Sequence, residues 1–135
     1  MSLGRFAIRI DQLARRIDRN VDIAVKLVAV AVNQTVVLTT PVDTGQARNN
    51  WRVSLGTPIT DTTSEVDPTG TTRIQSNNSV IRRRSPRARQ SIYITNNLPY
   101  IEALNNGRSA QAPAGFVQRA VLDGIRALDG VRIVR

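Results

Sequence analysis

The sequence predicts an α+β fold, with a long N-terminal helix and a C-terminal helix packed on a small, mostly antiparallel sheet and a long variable loop or hairpin. Helical apolar stripes lie near both ends, short alternating segments lie between them, and 135 residues suffice for one domain and not two. The whole chain, 1–135, is therefore read as a single domain.

The first element is a helix from about Ile10 to Thr39. Leu13, Ile17, Val21, Ala24, Val25, Val28, Val32 and Val36 form its apolar stripe. At ~1.5 Å per residue it would run roughly 40 Å. Its opposite face carries Arg15, Arg16, Asp18, Arg19, Asp22, Lys26 and Asn33, with Asp22 four residues before Lys26 in the favourable order. Dense β-branching from Val21 to Val37 leaves a strand over Thr35–Thr39 as the alternative. Pro41 ends the element. Pro41 to Gly45 then reads as a turn, Asp43 capping its own backbone and Gly45 taking positive φ.

Trp51, Val53 and Leu55 alternate with Arg52 and Ser54, the pattern of a half-buried strand. Thr57 to Thr72 is rich in Thr, Asp, Pro and Gly and reads as an exposed loop or hairpin tip. Arg73 to Val80 is weakly patterned and suits an edge strand, so 56–90 as a whole is expected to be a long loop or extended hairpin. Ile92, Tyr93 and Ile94 mark another strand. Pro99 opens a short helix closed by Asn105-Asn106-Gly107. Pro113 to Leu128 reads as the second main helix, and Val131 to Val134 as a terminal strand.

Composition narrows the chemistry. The chain has no Cys and no His, so imidazole and thiolate metal sites and Cys- or His-based catalysis are excluded. Asp61, Glu65 and Asp67 cluster in one loop without the calcium-loop spacing, and no glycine-rich phosphate cradle is present. No catalytic residue, metal or cofactor is expected. The apolar window Val21–Leu38 is interrupted by Asp22, Lys26, Asn33 and Gln34, so no membrane partner is expected either.

Charge is asymmetric. The formal net charge is +9, with Lys26 the single lysine. Residues 1–70 hold 8 basic and 7 acidic groups, whereas residues 71–135 hold 11 and 3. Arg82, Arg83, Arg84, Arg87 and Arg89 place five guanidiniums in eight residues. Such a tract suits phosphates or an acidic protein surface, but it lacks the interleaved aromatic residues of a stacking site. Both partners stay open at this point, as does a merely solvated tract.

Three stretches resemble a known family. Thr40-Pro41-Val42-Asp43-Thr44-Gly45, followed by Arg48 and Trp51, is similar to the T-P-V-D-T-G-x-x-R-x-x-W signature of the neck, or tail-completion, proteins of tailed bacteriophages. Asn97, Pro99 and Tyr100 resemble that family's asparagine, proline-tyrosine junction. Gly107, Gln111, Pro113 and Gly115 resemble the segment that leads into its last helix. Asn106 stands where the family carries an acidic residue, and the arginine tract lies outside the pattern.

The resemblance implies a non-enzymatic virion protein. It would be assembled in the host bacterial cytoplasm and form a homo-oligomeric ring at the head-tail interface, between connector or head-closure proteins and the tail, through which DNA passes. It transfers no catalytic residues; the matching positions look like turn and junction formers. A tail terminator or other minor tail protein is the neighbouring alternative, and a small arginine-rich nucleic-acid-binding protein the alternative from another class. Sequence-independent contact with DNA in the channel is a further expectation for the tract.

Overall fold

The computed structural model describes residues 6–15, 22–107 and 114–127. Strand β1 (Phe6–Arg9) leads into helix α1 (Ile10–Arg15), followed by α2 (Asp22–Thr39), α3 (Gln46–Asn49), β2 (Arg52–Leu55), α4 (Thr71–Arg82), β3 (Ile92–Asn96), α5 (Ile101–Asn105) and α6 (Phe116–Arg126). The fold is α+β, as the periodicities predict. The sheet is antiparallel throughout, in the order β1-β3-β2. Its register aligns Ile8, Ile94 and Val53 across the three strands. The apolar face on that row meets the helices, with Ile92, Ile94 and Val53 buried.

Strand β1 is absent from the sequence reading, although Phe6, Ile8 and Ile10 alternate with Ala7 and Arg9. Four residues of alternation at a chain end carry little weight alone; pairing with the central strand stabilises them. Phe6 also tilts against Trp51, with ring centroids 6.1 Å apart.

The expected single helix over Ile10–Thr39 is corrected to two. Residues seven apart in a straight helix are about 10 Å apart, yet Cα atoms of α1 and α2 approach within 8 Å. The two are therefore not segments of one straight helix. The alternative strand at Thr35–Thr39 is also ruled out, because α2 stays helical to Thr39. Tertiary contacts override the β-branched propensity there: α2 packs against α1, α3, α4 and α6. By length and a mean hydropathy of 1.5, α2 is the one helix among the described residues that is apolar enough to span a membrane. Its Asp22 and Lys26 form an ion pair at 2.9 Å.

The largest correction concerns 56–90. Strands β2 and β3 are antiparallel neighbours but are joined by a loop and helix α4, so there is neither a long hairpin nor an edge strand over 73–80. Helix α4 turns Ile74, Asn77 and Ile81 inward, at helical spacing. The middle inward position is an asparagine, which hides the apolar period.

That asparagine has a defined task. Asn77 Nδ2 donates to Asn33 Oδ1 on α2 at 2.8 Å and to Trp51 O at 2.8 Å, while Val53 N donates to Asn77 Oδ1 at 3.2 Å. Asn33 Nδ2 in turn donates to Asn78 Oδ1 and to Ile74 O. Asn33 was expected on the solvent face and is instead fully buried, because α4 covers it with matching amides. Gly124 lets α6 close on α2: a Cβ there would lie 2.2 Å from Val32 Cγ2. The terminal strand expected over 131–134 lies outside the described residues.

Asn77→Ala would strand the Val53 N–H, the Trp51 carbonyl and the Asn33 side-chain carbonyl in the core. It should cost about 2–4 kcal/mol in urea-induced unfolding, with far-UV circular dichroism at low urea unchanged.

Candidate functional site

The segment between α2 and β2 carries a dense set of side-chain hydrogen bonds. Helix α2 ends at Thr39, and Thr40 Oγ1 donates back to Val36 O at 2.6 Å. The same hydroxyl accepts the indole N–H of Trp51 at 2.8 Å. Trp51 is fully buried, and the tight turn between them brings the two together.

Arg48 closes the turn. Its Nε donates to Thr40 O at 3.0 Å, Nη2 to Leu38 O at 2.8 Å and Nη1 to Pro68 O at 2.9 Å. One planar guanidinium thus binds the free carbonyls at the end of α2 and ties them to the distal loop. Gly45 sits at φ +95°, and an added Cβ would lie 2.5 Å from Pro68 N. Its carbonyl accepts both Asn49 N and Asp67 N at 3.1 Å. Asp43 was expected to cap its own turn. Thr44 Oγ1 accepts the Gln46 amide instead, and Asp43 is exposed.

The loop over 56–70 is exposed yet held. Asn50 pairs with Thr63 in both directions, its Nδ2 donating to Thr63 O and its Oδ1 accepting Thr63 N, each at 2.9 Å. Asn49 Nδ2 donates to Glu65 O, and Asn97 Nδ2 donates to Ile59 O at 2.8 Å and Asp61 O at 3.2 Å. Arg52 Nη2 donates to Asp61 Oδ1 at 2.9 Å and to its carbonyl. Asp67 Oδ2 accepts the Arg73 amide in the first turn of α4. Asn50 and Arg52 were not singled out from sequence; a run of amide and guanidinium side chains beside a polar loop was the available signal.

Next to this frame, Asn49, Glu65, Asp67, Thr72, Arg73 and Ser76 line a shallow, open hollow of about 240 Å³. Burial and the nearby charge of Arg52 lower the pKa of Arg73, against the opposing pull of Asp67 and Glu65. Asn49 Oδ1 accepts Arg73 Nε at 3.1 Å. Among the described residues, no three acidic side chains converge as a metal site would require.

The remaining matched positions lie at junctions. Asn96 Nδ2 donates to Ala47 O, which fixes the end of β3 beneath α3. Pro99 and Tyr100 are exposed beyond it. Burial first and the Asp43 charge second raise the pKa of the Tyr100 phenol, so the turn and the β3–α5 junction share one electrostatic environment. Gly107 and Gly115 take positive φ, at 91° and 83°. Asn105, another residue not anticipated, caps α6 from outside: its Oδ1 accepts Val117 N at 2.9 Å. Gln111 and Pro113 lie outside the described residues.

The arginine tract is not one set of equivalent charges. Arg84 is buried, with Nη1 on Asp22 Oδ1 at 2.5 Å and Nε donating to Gln90 O at 2.7 Å. Its expected place among the partner-contacting residues is therefore corrected: Asp22 and the backbone already occupy it. Arg82, Arg83, Arg87 and Arg89 are exposed.

Comparison with family models, curated proteins and solved structures gives no match.

Gly45→Ala should lower stability by about 3 kcal/mol, since both the left-handed backbone and the Pro68 contact oppose a Cβ. Arg48→Lys, which cannot reach three carbonyls at once, should cost about 2 kcal/mol and increase proteolytic cleavage within 57–69. Denaturant titration and limited proteolysis with mass spectrometry read these outcomes.

Proposed function

We propose that the chain is a structural protein of a tailed-bacteriophage virion, without catalytic activity. It forms a homo-oligomeric ring in the neck that joins connector or head-closure proteins to the tail and lets DNA pass. The observation that carries this reading is the use made of the residues that resemble the neck family. Pro41, Gly45, Arg48, Trp51 and Asn97 lie in one turn-and-loop frame, in which the side chains of Arg48, Trp51 and Asn97 donate to Leu38, Thr40, Ile59, Asp61 and Pro68. Shape is what the frame supplies, as a ring subunit requires.

Apolar surface adds support. Ile23 on α2 and Leu122 on α6 are 57% and 52% exposed, on the two helices that pack most closely together. Leu38, near the end of α2, is also exposed, at 43%. A helix apolar on both sides is commonly one covered twice, here by its own domain and by a neighbouring subunit.

Light scattering of the purified protein tests the proposal, alone and mixed with a purified phage connector complex. A ring-sized species, or a monomer that joins the connector, is the expected result, and Ile23→Asp combined with Leu122→Asp should abolish it while the circular dichroism spectrum is retained. A monomer that remains monomeric with the connector overturns the reading.

A further inference from the structure

The segment after α4 is a closed, pre-ordered loop. Arg84 is its anchor: bound to Asp22 on α2 and to Gln90 O across the loop, it fixes both ends of 84–90. Lys26, the other partner of Asp22, donates to Arg82 O at 3.4 Å. Inside the loop, Ser85 O accepts Arg89 N at 3.2 Å, Ser85 Oγ accepts Ala88 N and Gln90 Oε1 accepts Ser85 N. Arg89 is the single non-glycine residue with positive φ among the described residues, at 49°.

The frame presents four guanidiniums, from Arg82, Arg83, Arg87 and Arg89. None has a hydrogen-bond or ion-pair partner among the described residues, where the ion pairs are Arg9–Asp11, Lys26–Asp22, Arg52–Asp61 and Arg84–Asp22. Four like charges at the end of α4 and on the loop that follows repel one another, so this region is stabilised by an anion with several charges. Among the described residues, the exposed large hydrophobic ones, Ile23, Leu38, Val66, Tyr100 and Leu122, all lie outside 82–89 in sequence. Protein interfaces draw most of their affinity from a few anchors, chiefly Trp, Tyr and Arg, desolvated in well-packed pockets. Four solvent-exposed guanidiniums with no aromatic residue among them suit a uniform polyanion.

We propose that the loop 82–89 is a binding site for the phosphate backbone of nucleic acid, with Arg82, Arg83, Arg87 and Arg89 as the contacting residues and Arg84 as a positioning residue. It reads no sequence, because no recognition helix or aromatic platform accompanies the arginines. The inference goes beyond the ring reading and does not depend on it, since a single subunit carries the whole loop.

Fluorescence anisotropy with labelled 20-bp DNA and RNA duplexes of two unrelated sequences tests it. Four phosphate contacts predict a slope of log K against log salt near −3.6, so binding weakens roughly 150-fold between 50 and 200 mM NaCl, equally for both DNA sequences. The quadruple variant R82Q/R83Q/R87Q/R89Q should lose at least tenfold in affinity at 50 mM, and a variant carrying Arg119→Gln and Arg126→Gln on α6 should lose less than threefold. Arg84→Gln should weaken binding with the slope unchanged, which separates loop order from a lost contact. Tighter binding of the RNA duplex would identify RNA as the source of the phosphates. Absence of binding at 50 mM, a quadruple variant that binds like the parent, or tighter binding of poly-glutamate at equal charge would overturn the assignment, the last in favour of an acidic protein surface. Light scattering of the quadruple variant separates this result from ring formation.

Discussion

Asn77 is the constraint on which the rest of the structure depends. A single buried carboxamide faces three elements: the helix α2 through Asn33, the end of the turn through the Trp51 carbonyl, and the sheet edge through the Val53 amide. Edge strand β2 has one side paired with β3; Asn77 gives its other side a partner where water is excluded. Helix α4 is thereby set against both α2 and β2. An apolar residue at 77 would bury well but would leave those groups unsatisfied, so the polar side chain specifies where α4 docks.

The legibility of the chain follows from this arrangement. Helices and strands whose inward positions are apolar, as in α2, α6, β2 and β3, were readable from periodicity. Helix α4 was not, because Asn77 occupies the middle of its inward stripe and the amides of Asn33 and Asn78 complete a network that no local pattern reports. The division into α1 and α2 was hidden for the opposite reason: Leu13, Ile17, Val21 and Val25 keep the helical period from one helix to the next, so the pattern alone reads as a single element. Strand β1 shows its alternation plainly but is only four residues long.

At the candidate site, what was legible was identity and what was not was reach. Gly45 as a positive-φ residue and Trp51 as a core residue follow from local chemistry. That Arg48 would bind carbonyls at both 38 and 68, or that Asn50 would pair with Thr63, depends on how a polar loop returns to the turn, which no spacing encodes. The arginine tract makes the same point with charge. Five arginines are equivalent as letters, yet an acidic residue 62 positions before Arg84, Asp22, removes one of them from the surface and turns it into the support for the other four.

The way the loop over 57–69 is held has a consequence for how this protein can change. Asn49, Asn50, Arg48 and Asn97 grip main-chain atoms at 59, 61, 63, 65 and 68, so much of the loop's path is set by residues that lie outside it, with Asp61, Thr63 and Asp67 adding side-chain bonds of their own. Most side chains along that path point to solvent and are spectators to its shape. The molecule therefore separates contour from surface: the outline of this ridge can persist while its chemical face is rewritten, residue by residue, to suit whatever it meets.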